Sequence, residues 1–129
     1  MLQSNLLLGC DPEWFLTDGS QPVSAIGKFQ GTKKRPFPLL EGVTCQVDNC
    51  AVEYGILPAQ TLGQWLHMNI AAYDQISNMA MDMGLAVHIV PSVVFPDKEL
   101  DTPEAWIFGC DPDFNAWDLA WNPKPKAKN

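Results

Sequence analysis

The sequence predicts an α+β fold: an antiparallel or mixed sheet with one long helix packed on one face. Three observations lead there. Residues 4–17 alternate apolar and polar side chains, as a half-buried strand does. Residues 44–56 are rich in small and β-branched residues, a second strand signature. Residues 61–83 repeat their apolar positions at helical spacing. A chain of 129 residues fits a single domain, here expected over 1–120, with the Pro/Lys-rich stretch 121–129 extended or disordered.

The first strand opens the chain. Leu6, Leu8, Cys10, Trp14 and Leu16 share one face, and period-two alternation sends Asp11 and Glu13 to the other. Two carboxylates on one face can hold a hard cation or a proton. Asp-Pro is equally a turn signal, and two solvated acids need no ligand. The strand runs into an Asp18-Gly19 turn, with residues 23–26 as its hairpin partner. Residues 27–42 carry Gly31, Pro36 and Pro38 around a basic cluster, Lys28, Lys33, Lys34 and Arg35, and read as a loop.

Along 44–56, strict alternation sets Asp48 and Glu53 on opposite faces; a bulge near Asn49 would bring them together. A buried acid there needs a cation or a donor beside it. Solvent exposure at the strand end is the other reading for Asp48. In the helix, Thr61 is the expected N-cap, with Gln64 in capping-box position and Gly84 as the stop. Leu62, Trp65, Leu66, Tyr73, Ile76, Met79, Ala80 and Met83 form its apolar stripe, and the methionines, Met68, Met79, Met81 and Met83, read as core filler. A strand over 85–95, interrupted at Pro91, follows. A helical turn begins at 101–104, with Pro103 in its first turn. Gly109-Cys110-Asp111-Pro112-Asp113-Phe114 then echoes the opening phrase, placing Asp111 and Asp113 near a turn.

Composition excludes several function classes. The formal net charge of -7 disfavours nucleic acid as a partner. No stretch approaches the ~20 apolar residues of a membrane span, which excludes a membrane partner of that kind, and the first residues lack a secretory signal pattern, so the cytoplasm is the expected compartment. The four cysteines show no zinc spacing with His67 or His88 and read as small buried hydrophobes.

Four phrases in register have a family shape: Gly9-Cys10-Asp11-Pro12-Glu13-Trp14-Phe15, Gly31-Thr32-Lys33-Lys34-Arg35-Pro36, Gln46 through Tyr54, and Gly109 through Asn115. Together they resemble the phage-encoded carboxylate–amine ligases, a branch of the amidoligases with a glutamine-synthetase-like catalytic sheet. The resemblance implies half of such a catalytic domain, ATP and magnesium as cofactors, and ligation through an acyl phosphate inside a host cell. It implies Asp11, Glu13, Glu53 and Asp48 as metal ligands, and Lys33 and Lys34 as contacts for phosphate or carboxylate. Family members continue into a His-x-His strand and later arginines that this sequence lacks. Three expectations follow: a complete short protein, a piece completed by a second chain or a second copy, or a ligase scaffold reused without catalysis to bind or inhibit a host protein such as a defence nuclease.

Overall fold

The computed structural model describes residues 6–107 and 114–123. Asp111, Asp113 and most of the Pro/Lys-rich tail lie outside the described residues. Trp121, where that tail was expected to begin, lies in a short strand.

Among the described residues, the fold is α+β, and every strand pairing in it is antiparallel. A sheet runs in the order β2 (Pro22–Val23), β1 (Glu13–Thr17), β5 (Ala51–Ile56), β4 (Val43–Asp48), β3 (Phe37–Leu40). A further strand, β6 (Ala86–His88), also pairs with β1. Leu16 faces both Val23 and Val87, so β1 is held between β2 and β6 at that point. A separate hairpin joins β7 (Phe114–Asn115) to β8 (Ala120–Trp121).

The helix α1 (Leu62–Asp82) starts as its capping signals require. The Thr61 hydroxyl accepts from the Gln64 N–H at 3.1 Å. Gln64 Oε1 in turn accepts from the N–H of Gln60, one residue before the cap, at 2.9 Å. Gly84, at φ 71°, ends the helix in the left-handed region.

The core lies between α1 and one face of the sheet. Trp14, Leu16, Val43, Cys45, Val52 and Tyr54 project from the strands, and Met68, Ala72, Ile76 and Ala80 from the helix. Of the expected stripe, Ile76 and Ala80 are buried and Trp65 and Met79 pack against the core, whereas Leu62, Leu66, Tyr73 and Met83 are exposed. The buried positions fall every fourth residue, Met68, Ala72, Ile76 and Ala80, with small and large side chains alternating against the sheet. Met68 is core filler and Met79 is partly buried against the core, but Met81 and Met83 lie largely in solvent. Cys45 and Cys50 are buried and Cys10 half-buried, as small hydrophobes.

Four strand expectations are corrected. The first strand begins at Glu13, not at residue 4; Leu8 makes only an isolated bridge to Ala59. Pro12, lacking an N–H, precedes the paired segment. The stretch 27–42, expected as loop, contains β3, an edge strand whose Pro38 faces Thr44 beside a register shift. Proline is tolerated at such an edge because no further strand needs its N–H. The stretch 44–56 is not one strand but a hairpin that reverses at Asn49 and Cys50. Asn49 takes φ 52°, a left-handed conformation asparagine tolerates better than most residues. The 85–95 strand also shortens to 86–88 ahead of Pro91.

Candidate functional site

The face of the sheet opposite α1 carries the site. Glu13 on β1 stands directly across from Glu53 on β5, which stands across from Gln46 on β4. Directly opposed residues share a face, so all three side chains emerge together. The hairpin adds Asp48. It faces Ala51, and Glu53 is two residues beyond Ala51, so Asp48 and Glu53 share that face too. Chain reversal at Asn49 achieves what a bulge was expected to do.

Glu13, Asp48 and Glu53 offer carboxylate oxygens that all lie within 4.8 Å of one another. Their surroundings differ. Glu13 is exposed, Glu53 half-buried, and Asp48 only 9% exposed. Gln46 Nε2 donates to Glu53 Oε2 at 3.0 Å. Lys33 Nζ lies 2.7 Å from Asp48 Oδ2. Burial is the main cause that raises the Glu53 carboxyl above its ordinary range. The adjacent Asp48 raises it further, while the Gln46 hydrogen bond and the Lys33 charge act in the opposite direction. Three carboxylates against one ammonium leave negative charge that a proton or a divalent cation can take up.

The position of Lys33 depends on backbone packing. Lys33 and Lys34 form the tip of a tight turn closed by mutual hydrogen bonds between Thr32 and Arg35, at 3.0 and 2.9 Å. Just before it, Gly31 takes φ 98° and its carbonyl accepts from the Val47 N–H at 3.2 Å. A Cβ there would stand 2.3 Å from the Cys45 carbonyl oxygen and 2.7 Å from the Phe37 nitrogen. Only glycine permits this approach, which lays the basic turn against β4 and sets Lys33 on Asp48.

The structure thus gathers Glu13, Glu53, Asp48 and Lys33. Asp11 lies exposed ahead of β1 and is not in the group, and Lys34 projects from the same turn into solvent. Sequence reasoning missed Gln46 and Gly31. Gln46 stands two residues before Asp48, so the period of two already placed it on the Asp48 face. Gly31 precedes the basic turn, a position where a close approach is the usual reason for glycine.

The irregular chain after β6 is tied to β1, to the residue after β2 and to the hairpin. Phe95 packs edge-on against Phe15 with ring centroids 5.9 Å apart. The Asn49 side-chain amide donates to the carbonyls of Ala105 and Ile107 at 2.8 and 3.0 Å. The Ser24 N–H donates to the Glu99 carboxylate at 2.8 Å. Among the described residues, no helix is long and apolar enough to cross a membrane. No protein-family model, curated protein or solved structure matches the chain.

Proposed function

We propose that this chain carries an acidic half-site of a carboxylate–amine ligase, with Glu13, Asp48 and Glu53 as ligands for a magnesium-class ion and Lys33 as the neighbouring phosphate contact. The convergence of the three carboxylates supports the reading most strongly. Their donor set is all oxygen, which suits a hard divalent cation. Like charges set directly opposite each other in a sheet cost stability, and such an arrangement is relieved by a cation. The bound ion supplies charge neutralisation for a nucleoside triphosphate. In this chemistry, the substrate carboxylate attacks the terminal phosphorus and displaces the nucleoside diphosphate, giving an acyl phosphate. The amine then forms the amide bond, with loss of phosphate and a proton. The side chains of this protein contribute orientation: Gln46 fixes Glu53, and Gly31 fixes the turn that presents Lys33. Further cations to hold the phosphates belong to a second chain or a second copy in this reading.

Calorimetric titration with magnesium and manganese tests the proposal. Saturable heat in the wild type that is lost in Glu53→Gln and in Asp48→Asn supports it. Absence of saturable heat in the wild type rejects it. With the completing polypeptide present, magnesium-dependent ATP hydrolysis that requires an amine should disappear in Glu13→Gln and Glu53→Gln.

A noncatalytic role in binding another polypeptide is the second reading. It is favoured by the outer face of α1, where Leu66, Ile70, Tyr73 and Met81 form an exposed apolar stripe. A second copy is the simplest occupant. Sedimentation of the wild type beside Ile70→Glu separates the cases: association lost in the variant supports it, and a wild type that sediments as a monomer at all concentrations rejects it.

A further inference from the structure

A cavity of about 470 Å³ opens between the basic turn, the β4–β5 hairpin and the chain at 104–107. Its volume falls within the range of small-molecule sites, roughly 300–1,000 Å³. Ile26, Phe29, Val47 and Ile107 line it with apolar surface. The charged groups at its wall are Lys33, Asp48 and Glu104. Lys33 already lies against Asp48, so the wall carries net negative charge, and Glu13 and Glu53 stand beside Asp48. The Lys33–Asp48 pair therefore separates the carboxylate cluster from an apolar chamber.

We infer that this cavity binds a primary amine with an apolar body, its ammonium directed to Glu104 and its hydrocarbon part against Phe29 and Ile26. Charge complementarity selects the cation: without a bound ion Lys33 and Asp48 neutralise each other, and Glu104 leaves the wall one negative charge. An apolar wall of this size rewards an aliphatic or aromatic body and gives a bare ammonium ion little to hold. The inference deepens the ligase reading, since such a molecule belongs to the class of its amine co-substrate. Binding itself requires neither nucleotide nor metal.

Titration of the full chain with phenethylamine, without nucleotide or divalent ion, tests it, with 2-phenylethanol and 3-phenylpropionate as the neutral and anionic counterparts. Saturable binding of the amine, at least tenfold weaker for the alcohol and undetectable for the carboxylate, is the expected result. Glu104→Gln, an exposed position outside the carboxylate cluster, should weaken amine binding several-fold, and Ile26→Trp should fill the chamber and abolish it. An amine that does not saturate overturns the inference. So does an alcohol that binds equally, or binding unchanged in Glu104→Gln. Magnesium titration of the same wild type keeps the two proposals apart: amine binding retained by a protein that takes up no magnesium removes the ligase reading and leaves the pocket. Magnesium uptake without amine binding does the reverse.

Discussion

Glu13 and Glu53 face each other across β1 and β5 as a directly opposed cross-strand pair of like charge. Opposed like charges weaken a sheet, so their pairing in the interior of the strand order is a cost to the fold. Asp48, only 9% exposed, adds a third carboxylate to the same place. That cost can be measured.

Removing one charge should stabilise the apo protein. Glu53→Gln keeps the shape and a polar end group while ending the repulsion from Glu13 and Asp48. At neutral pH and without divalent ions, we expect a gain of about 0.5 kcal/mol, the scale of one cross-strand charge pair. Urea unfolding reads it directly. A loss of stability instead would mean that Glu53 is held by contacts its charge strengthens.

The same residue sets a pH dependence with a definite sign. The folded state raises the Glu53 carboxyl above its ordinary value of 4.5. Between the ordinary and the raised value, the folded protein therefore holds more protons than the unfolded chain. Stability attributable to Glu53 must fall as pH rises through that window, and level off above it. Denaturation across weakly acidic to neutral pH should show this decline in the wild type and not in Glu53→Gln.

Asp18 should behave in the opposite way. Its carboxylate accepts from the Ser20 N–H and hydroxyl and from the Gln21 N–H, at 2.8, 2.8 and 2.9 Å, and closes the turn between β1 and β2. Those bonds, the Ser20 N–H foremost, lower it from 3.8 to about 2. Its contribution is present above the ordinary value and is lost as pH falls through about 2. Proton titration by NMR of the Asp18 side chain, in the wild type and in Ser20→Ala, checks the assignment: the Ala variant should titrate higher.

Two glycines give a controlled comparison. Gly31→Ala places a Cβ against the Cys45 carbonyl and the Phe37 nitrogen in a left-handed backbone. We expect a loss of roughly 2 kcal/mol or more, since backbone must move. Gly27→Ala, at φ 74° but with open space around its Cβ, should cost only the left-handed strain of about 1–2 kcal/mol. Thermal melts order the two. Gly31→Ala should also strengthen divalent binding by lifting the competing Lys33 ammonium off Asp48, and Gly27→Ala should not.

Helix orientation is tested by a buried and an exposed isoleucine. Ile76 is fully buried against the sheet, so Ile76→Ala should lose about 2–5 kcal/mol. Ile70 is 61% exposed, so Ile70→Ala should change stability by less than about 0.5 kcal/mol. Reversal of that order would mean that the helix is rotated on the sheet.

The helix was legible because its signals are local. Thr61, Gln64 and Gly84 act within a turn of themselves, and helical spacing survives in any environment. Which face it buries was legible only in part: Ile76 and Ala80 were on the expected stripe, but Leu66–Ile70–Tyr73 and Met68–Ala72–Ile76 both satisfy the spacing, and packing on the sheet selected the second set. Edge strand β3 was hidden by Pro38 within it and Pro36 just before it, which mark a loop unless a neighbour supplies pairing on one side only.

From the residues alone came an α+β domain, a capped helix after Gln60, the pairing potential of Glu13 and Glu53 with other acids, and an excess of negative charge. Tertiary structure decided which acids meet. Asp11 and Glu13 are close in sequence, yet it is Glu13 that meets Asp48 and Glu53, because sheet register and the turn at Asn49 bring strands from distant segments onto one face. Sequence spacing fixes only the direction of side chains along one strand. Distance between strands is set by which backbone groups find each other, and that is settled by the packing of the whole core.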